Sequence, residues 1–589
     1  VSLHKDYRLY LDRLRIQSSN TTDLSKIPQW LEKNTAHPTD AGKLWTFDGH
    51  EYQIDVVSDT AAQLCVQKCS QVGASELQLR LALALLYLLK KFTLIYVLPT
   101  AGIAKKFTKG RIDPVMQDSP TLSSAASSKN DSAEMKQIGQ SFLYVSGTYG
   151  QQSAISVPAQ GLFKDEVDFC NQEVLTTYNS RLGHAKEGEY FERLFSTPTV
   201  EGFGINKAYS SSSRGKYTVR CPHCLDQVSP NFMDFVEIPG YDGTLHTFDK
   251  EDLEDPRVDI SKAFIRCDVC TNPIDAKHWL NPKERAWVHE APNKLFRGYQ
   301  VSPLDVPEIN PIRRTLAQIQ DYDRKKDWVN FKVGLPFSDA ETSFLEGPIK
   351  EGSTFPSLSK PLDGETTVQA GNTVFGLDVG KTSWFTVLTL PGISGGRVIY
   401  AERIRQDGKN YLGTRVLQLM KNFGCVAGVV DAAPDFSVAA FLIDACPVGI
   451  VWANYYTRTA GRNLKNTQFD VESQVCKSYR TGCFDDLVKD VNSKRVTIGD
   501  GPEFKTILDH VKSMKRIDQK NNIGELVSYW TNTGDDHYAH SLLFATIAKK
   551  VACSEGLINN AVPCLPMVGK VKMKDMSSDQ PAVSRYGFS

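Results

Sequence analysis

The sequence has no apolar run long enough to cross a membrane, no net charge and no internal repeat. The longest apolar stretch, around Leu81–Leu89, stops at Lys90 and Lys91. It falls short of the roughly 18–20 residues that a spanning helix needs, so no membrane role is expected. Lys plus Arg and Asp plus Glu both number 68, which excludes a uniformly basic DNA-coating protein. A basic channel on one face remains open, because steering depends on where the charges sit. The first residues, Val1-Ser2-Leu3-His4-Lys5-Asp6, lack the apolar stretch of a secretory signal. The thirteen cysteines are therefore expected to be reduced rather than a disulfide framework, in a cytoplasmic setting.

What is present is a 589-residue chain, longer than one hydrophobic core usually covers. Residues 1–45 are polar, with helical patches at Tyr7–Leu14 and Trp30–Lys33. Over 46–214, apolar strands such as Leu64–Val66 and Thr93–Leu98 alternate with helices such as Glu76–Leu89, which predicts a mostly parallel sheet. Within it, residues 118–134 are rich in Ser, Ala, Asn and Asp and read as a surface loop. Residues 215–290 carry two cysteine pairs and short strands. Residues 291–373 form a subdomain and then a linker, its 345–373 stretch rich in Gly, Pro, Ser and Thr. A second α/β pattern spans 374–553. A polar tail, 554–589, has Lys570, Lys572 and Lys574 at alternate positions.

The segment Lys68-Cys69-Ser70-Gln71-Val72-Gly73-Ala74-Ser75 joins a strand to a helix. A phosphate loop needs that placement, because N–H groups at a helix start cradle phosphate oxygens. The usual pattern has Lys just before the Ser/Thr; here Ala74 stands there. Lys68, at the other end of the loop, can reach the β and γ phosphates from across it, and Ser75 would hold Mg²⁺. Next, Leu162-Phe163-Lys164-Asp165-Glu166 resembles the acidic strand end of P-loop ATPases: Asp165 on Mg²⁺ through water, Glu166 orienting the attacking water. The strand before it is unusually polar. A third strand ends in Ser196-Thr197-Pro198-Thr199, where Thr197 could sense the γ-phosphate. Each motif alone also reads as an ordinary turn or acidic loop; their order argues for an ATPase. Tyr52-Gln53 is a candidate adenine contact, and equally a plain helix surface.

Cys221-Pro222-His223-Cys224 and Cys267-Asp268-Val269-Cys270 are two C-x₂-C knuckles. Four thiolates in such pairs suit tetrahedral Zn²⁺, closed to catalysis. The alternative is two unrelated pairs of buried thiols.

The second α/β pattern opens with Val374-Phe375-Gly376-Leu377-Asp378, a strand ending in a carboxylate. RNase H-like folds present their first metal ligand this way. Val426–Val430 ends in Asp431, with Asp435 four residues on, and Gly534-Asp535-Asp536-His537 precedes an apolar helix. Three carboxylates from two strand ends and a helix start can hold two Mg²⁺ or Mn²⁺ about 4 Å apart, the arrangement for phosphodiester hydrolysis. Asp at strand ends and helix caps is also common for turn and capping reasons. Asp378 is the first candidate; Asp431 and Asp535 or Asp536 follow, with Asp435 an alternative to Asp431.

The combination resembles the large terminase subunit of tailed phages, in the lambda-like branch with a cysteine-bearing insertion, over roughly residues 45–550. Phe331-Lys332-Val333-Gly334-Leu335-Pro336-Phe337 also looks like that branch. The resemblance implies a P-loop ATPase domain, a zinc-ribbon-like insertion and an RNase H-like nuclease domain. It implies a ring of five at the portal of a procapsid in the host cytoplasm, driving double-stranded DNA inward with ATP and cutting concatemeric genome. A small terminase subunit would bind the N-terminal region, and the tail could dock on the portal. An arginine finger is expected, with Arg181, Arg193 and Arg214 as candidates. Competing readings are a helicase or translocase fused to a nuclease, a zinc-bearing DNA-binding protein with an inactive ATPase, and a transposase or integrase. The last needs no phosphate loop.

Overall fold

The computed structural model describes residues 24–40, 42–148, 157–184, 190–338, 343–354, 357, 373–390, 395–405, 409–433, 435–457, 466–520 and 526–553. The patch at Tyr7–Leu14 and the tail 554–589 lie outside them. The chain divides into two units, Val1–Asp339 with Ile517–Ser528, and Ala340–Arg516 with Tyr529–Ser589. No helix among the described residues is long and apolar enough to cross a membrane.

One large sheet carries the first unit. Its order is Arg285–His289, Gly215–Arg220, Arg297–Val301, Gln63–Lys68, Phe191–Ser196, Gly161–Asp165, Thr93–Leu98, Ser141–Gly147, Met135–Ile138 and Ala126–Asp131. From Arg297–Val301 to Ser141–Gly147 all neighbours are parallel. Parallel strands are covered on both faces and so read as continuous apolar runs. Thr93–Leu98 is buried at every position after the first. Gly161–Asp165 is buried throughout despite its polar sequence, because Lys164 Nζ is 2.5 Å from Glu192 Oε1 on the next strand and donates to Asn179. Helix Ala74–Leu88 buries leucines on every side, as expected of a helix wrapped by other elements.

Two expectations shift. Residues 118–134 are not a loop: they hold helix Pro120–Ala125 and edge strand Ala126–Asp131. That strand has no buried position, so small polar residues suit it; Lys136 on its partner strand pairs with Asp113 at 2.6 Å and with Asp131. The cysteine-bearing region is anchored at both ends in the main sheet. Gly215–Arg220 and Arg285–His289 pair with each other, and Gly215–Arg220 also pairs with Arg297–Val301. Between them sits a small sheet, Val236–Glu237, Phe264–Arg266 and Pro273–Ile274. Its core includes Phe232, Phe248, Ile265 and Trp328.

The second unit has an eight-stranded mixed sheet. Its order is Thr467–Asp470, Val475–Tyr479, Val451–Thr457, Cys425–Asp431, Thr373–Asp378, Thr382–Thr389, Gly396–Arg405 and Val496–Ile498. Thr373–Asp378 runs antiparallel to Thr382–Thr389 and parallel to Cys425–Asp431, meeting the RNase H-like expectation. Helix His537–Ala552 lies on the central strand. Gly376 makes that approach possible, since a Cβ there would overlap the backbone of Ser541 and Ala545.

Candidate functional site

Strand Gln63–Lys68 delivers Lys68 to a tight turn, and helix Ala74–Leu88 leaves it. Gln71 and Gly73 take left-handed backbone angles, φ 62° and 73°. Such turns let successive N–H groups face one point, which suits an anion. The Val72 carbonyl accepts from the Tyr52 hydroxyl and from Gln53 Nε2, the latter at 3.1 Å. Tyr52 is therefore a support behind the loop, buried and bonded to its backbone, not an exposed face for adenine. Gln53 Oε1 is buried with no partner among the described residues. The missing lysine has a physical reason: Ala74 faces the core and is 3% exposed, so a lysine there would be buried against apolar residues.

Lys68, Ser75, Asp165 and Glu166 come together. Lys68 Nζ lies 3.0 Å from Glu166 Oε1. Ser75 Oγ donates to Asp165 Oδ1 at 3.2 Å, and the Tyr96 hydroxyl donates to Asp165 Oδ2 at 2.9 Å. Burial and the Glu166 charge push the Asp165 carboxyl up to about 6. Burial pulls Lys68 down, but the Glu166 and Asp165 charges outweigh it and hold the ammonium above its ordinary value. Glu166 itself sits at φ 54°, a strained angle for a residue with a Cβ and of the kind found at functional sites. Oxygen donors on a serine and a buried carboxylate fit Mg²⁺.

Asp168 was missed by sequence reading. Its carboxylate accepts from the Thr199 N–H and hydroxyl, both at 2.8 Å, and from the Ile205 N–H at 2.7 Å. Burial pushes it up to about 7. It ties the acidic strand to the Ser196–Thr199 segment. Thr197 is 2% exposed, and its hydroxyl has no partner among the described residues. The 331–337 segment completes the surround: Ser70 N–H donates to the Phe331 carbonyl at 2.6 Å, and the Asn330 side chain and Phe337 N–H both donate to the Thr199 carbonyl. Of the arginine-finger candidates, Arg193 is 1% exposed and donates to the Asp59, Ala61 and Ala62 carbonyls, so it cannot serve. Arg214 pairs with Glu290 at 2.8 Å, and Arg181 bonds to Ser180.

Cys221, Cys224, Cys267 and Cys270 converge, with all four sulfurs within 4.8 Å of one another. Cys221–Cys270 and Cys224–Cys267 are each 3.8 Å apart. Tetrahedral Zn²⁺ with bonds of about 2.3 Å needs sulfurs about 3.8 Å apart, so the residues fit the ion. Val269 and Cys270 N–H groups point at Cys267 Sγ, which favours a thiolate.

In the second unit, Asp378 and Asp431 end adjacent parallel strands, and Asp536 is the N-cap of helix His537–Ala552. Asp378 Oδ2 is 2.9 Å from His537 Nδ1, and that ring stacks on Trp384 at 5.3 Å. Burial and the Asp378 charge push Asp431 up to about 6. Asp536 Oδ2 is 3.3 Å from His540 Nε2. Asp435 is exposed and lies just before the next helix, accepting from Ser437 N–H at 2.9 Å; Asp535 is also exposed. The geometry thus sets Asp431 and Asp536 apart from their alternatives. Among the described residues only the cysteine cluster has all its ligand atoms within 4.8 Å; the carboxylates are more open. Carboxylate oxygens fit Mg²⁺ or Mn²⁺. His537, His540, Tyr456 and Arg480 escaped sequence reading; only the spacing of the histidines after Asp536 hinted at the first two.

No curated protein matches the chain. Among solved structures, the HK97 bacteriophage large terminase is similar at 10% identity and a TM-score of 0.48, over 89% of this chain and 99% of that one. The large terminase of the thermophilic bacteriophage D6E is similar at 10% identity and TM-score 0.28, over 84% of this chain and 94% of that one. The large terminase nuclease from thermophilic phage G20c with bound magnesium is similar at 19% identity and TM-score 0.24, over 36% of this chain and 98% of that one. The family model for the phage terminase large subunit gpA, ATPase domain, matches residues 51–287, the stretch that holds Lys68, Ser75, Asp165, Glu166 and the four cysteines. Over those residues the chain is similar to the ATPase domain of the phage terminase large subunit gpA.

Proposed function

We propose that this protein is a viral DNA-packaging motor subunit, which translocates double-stranded DNA into a procapsid and cuts concatemeric genome with its second unit. The observation that carries the reading is the Lys68–Glu166–Asp165–Ser75 cluster inside the matched ATPase domain. Lys68 would meet the β and γ phosphates, and the N–H groups of residues 70–75 would cradle them. Ser75 and Asp165 would hold Mg²⁺, and Glu166 would orient the attacking water. Thr197, beside the Asp168–Thr199 tie, would pass the state of that site along the chain.

In the second unit, Asp378, Asp431 and Asp536 would hold two divalent cations. Such ions activate a water and stabilise the leaving oxygen of a phosphodiester. The chain's own contribution is to hold three carboxylates at one sheet edge. The four cysteines would hold one structural Zn²⁺. A ring of five, a portal and a small terminase partner belong to the same reading.

The test is cleavage of plasmid DNA with Mn²⁺ or Mg²⁺, wild type beside Asp378→Ala. Cutting by wild type alone is expected. Equal cutting by the variant would remove the three-carboxylate assignment; no cutting by either, in folded protein, would reduce the reading to a translocase whose second unit only binds DNA.

A further inference from the structure

Helix His537–Ala552 begins directly after Asp536, and His540 lies four residues on, above the same face. Its Nε2 is 3.3 Å from Asp536 Oδ2. Its other ring nitrogen, Nδ1, is 2.6 Å from the Tyr456 hydroxyl. The ring is 9% exposed and boxed by Phe484, Tyr456 and Phe544, at 5.2, 5.5 and 6.2 Å. Tyr456 belongs to strand Val451–Thr457, which pairs in parallel with the strand ending at Asp431.

A buried histidine is often just a satisfied core residue. Here the direction of the bonds says more. Were the proton on Nδ1, the Nε2 lone pair would face a carboxylate oxygen and repel it. The arrangement that satisfies all three groups has Tyr456 O–H donating to Nδ1 and Nε2–H donating to Asp536. Arg480 Nη2 is 3.5 Å from His540 Nε2; a guanidinium can only donate, so beside Nε2–H it acts through its charge and not as a hydrogen-bond partner. The guanidinium lies over the Tyr456 and Phe484 rings at 5.8 and 5.9 Å.

We propose that His540, fixed by Tyr456, is a positioning residue of the nuclease centre that holds one oxygen of Asp536 and leaves the other free for a divalent cation. The inference rests on the reading of Asp378, Asp431 and Asp536 as that centre. Groups that orient metal ligands matter to binding: removing one typically weakens it about 10–100-fold. The Asp536 ligand would thus be set by a strand tyrosine two bonds away, through a ring that cannot turn.

The experiment is Mn²⁺ binding to the full chain, without nucleotide, followed by the EPR signal of the free ion. The proteins are wild type, Asp536→Ala, His540→Ala, His540→Gln and Tyr456→Phe. His540→Ala is expected to weaken binding about 10–100-fold. His540→Gln, whose amide can donate to Asp536, should recover most of it. Tyr456→Phe removes only a hydroxyl and should show a smaller loss even if the alanine variant folds poorly. Wild-type affinity in His540→Ala and Tyr456→Phe, with affinity lost in Asp536→Ala, would make His540 mere packing and overturn the proposal. Wild-type affinity in Asp536→Ala would remove the metal reading itself. A histidine nitrogen coupled to bound Mn²⁺ in pulsed EPR, absent in His540→Gln, would make His540 a ligand and also overturn the positioning role.

Discussion

In the ATPase unit, Asp165 and Glu166 have a lysine between them; in the second unit, Asp378, Asp431 and Asp536 have histidines beside them and, among the described residues, no lysine or arginine ion pair. The first site folds with a cation of its own. Lys68 is 5% exposed and supplies the opposing charge at its two carboxylates, yet Asp165 is still held up at about 6. The second leaves Asp431 facing the Asp378 charge, and that charge together with burial holds its carboxyl up at about 6. The contrast is therefore one of compensation and not of strain: each site holds one carboxyl up at about 6, the first beside a lysine and the second beside histidines.

The largest effect that sharpens this contrast is expected from Asp431→Asn. Metal-dependent cutting should fall to background, because on the proposed reading a metal ligand is lost. The metal-free protein should melt no lower than wild type, since the substitution relieves repulsion. A clear drop in melting temperature would mean that Asp431 is structurally satisfied and that the strain is not there.

Lys68→Ala should behave in the opposite way. Removing one member of a buried ion pair leaves the others uncompensated and costs about 3–5 kcal/mol when burial is complete. Glu166 is 32% exposed, so the loss should be smaller, yet visible as a lower melting temperature. ATP turnover should fall on the order of 100-fold, as when a charge clamp on a transferring phosphoryl group is lost. Turnover at the wild-type rate would break the assignment of Lys68 to the phosphates.

How much of this was legible in the sequence depends on distance along the chain. Lys68 to Ser75 is local, so a strand, a turn and a helix start were visible in the residues themselves. The Asp–strand-end pattern at Asp378 and Asp431 was visible for the same reason. Asp431 over Asp435, and Asp536 over Asp535, required side-chain direction, which period alone does not fix at a loop. Asp168 reads as one more acid after Asp165 until Thr199 and Ile205 fold against it. The edge strand Ala126–Asp131 was hidden because an exposed edge has no apolar alternation to show. Gly161–Asp165 was read as a strand, but its polar look had no reason in the sequence, because Glu192, the partner of Lys164, is on another strand.

The cysteine cluster extends the comparison to a site whose ligands carry no chemistry. One Zn²⁺ per chain is expected by elemental analysis, and none would remove the site. Cys221→Ser should lower the melting temperature of the first unit with little change in DNA cutting, since structural zinc binding is folding energy. Equal loss of cutting and melting would mean that the two units do not behave separately.

The smallest effect is expected at Asp168, which tests whether the ATPase unit carries strain as well. Its carboxyl is held up near 7 in the fold, against about 3.9 in an unfolded chain. Between those values the folded state keeps a proton that the unfolded state releases, so its contribution is full below about pH 3.9 and declines as pH rises toward 7. Asp168→Asn has no such proton to lose. The variant loses part of the tie to Thr199, because an amide N–H₂ cannot accept from the Thr199 N–H, so its stability should start lower. Its profile from pH 4 to 7 should nevertheless be flatter than that of wild type. Parallel profiles, read by chemical denaturation at several pH values, would show that the three hydrogen bonds to Asp168 already hold the ionised form without cost. The strain in the ATPase unit would then reside in Glu166, at its left-handed angle beside Lys68, and in Asp165, held up at about 6.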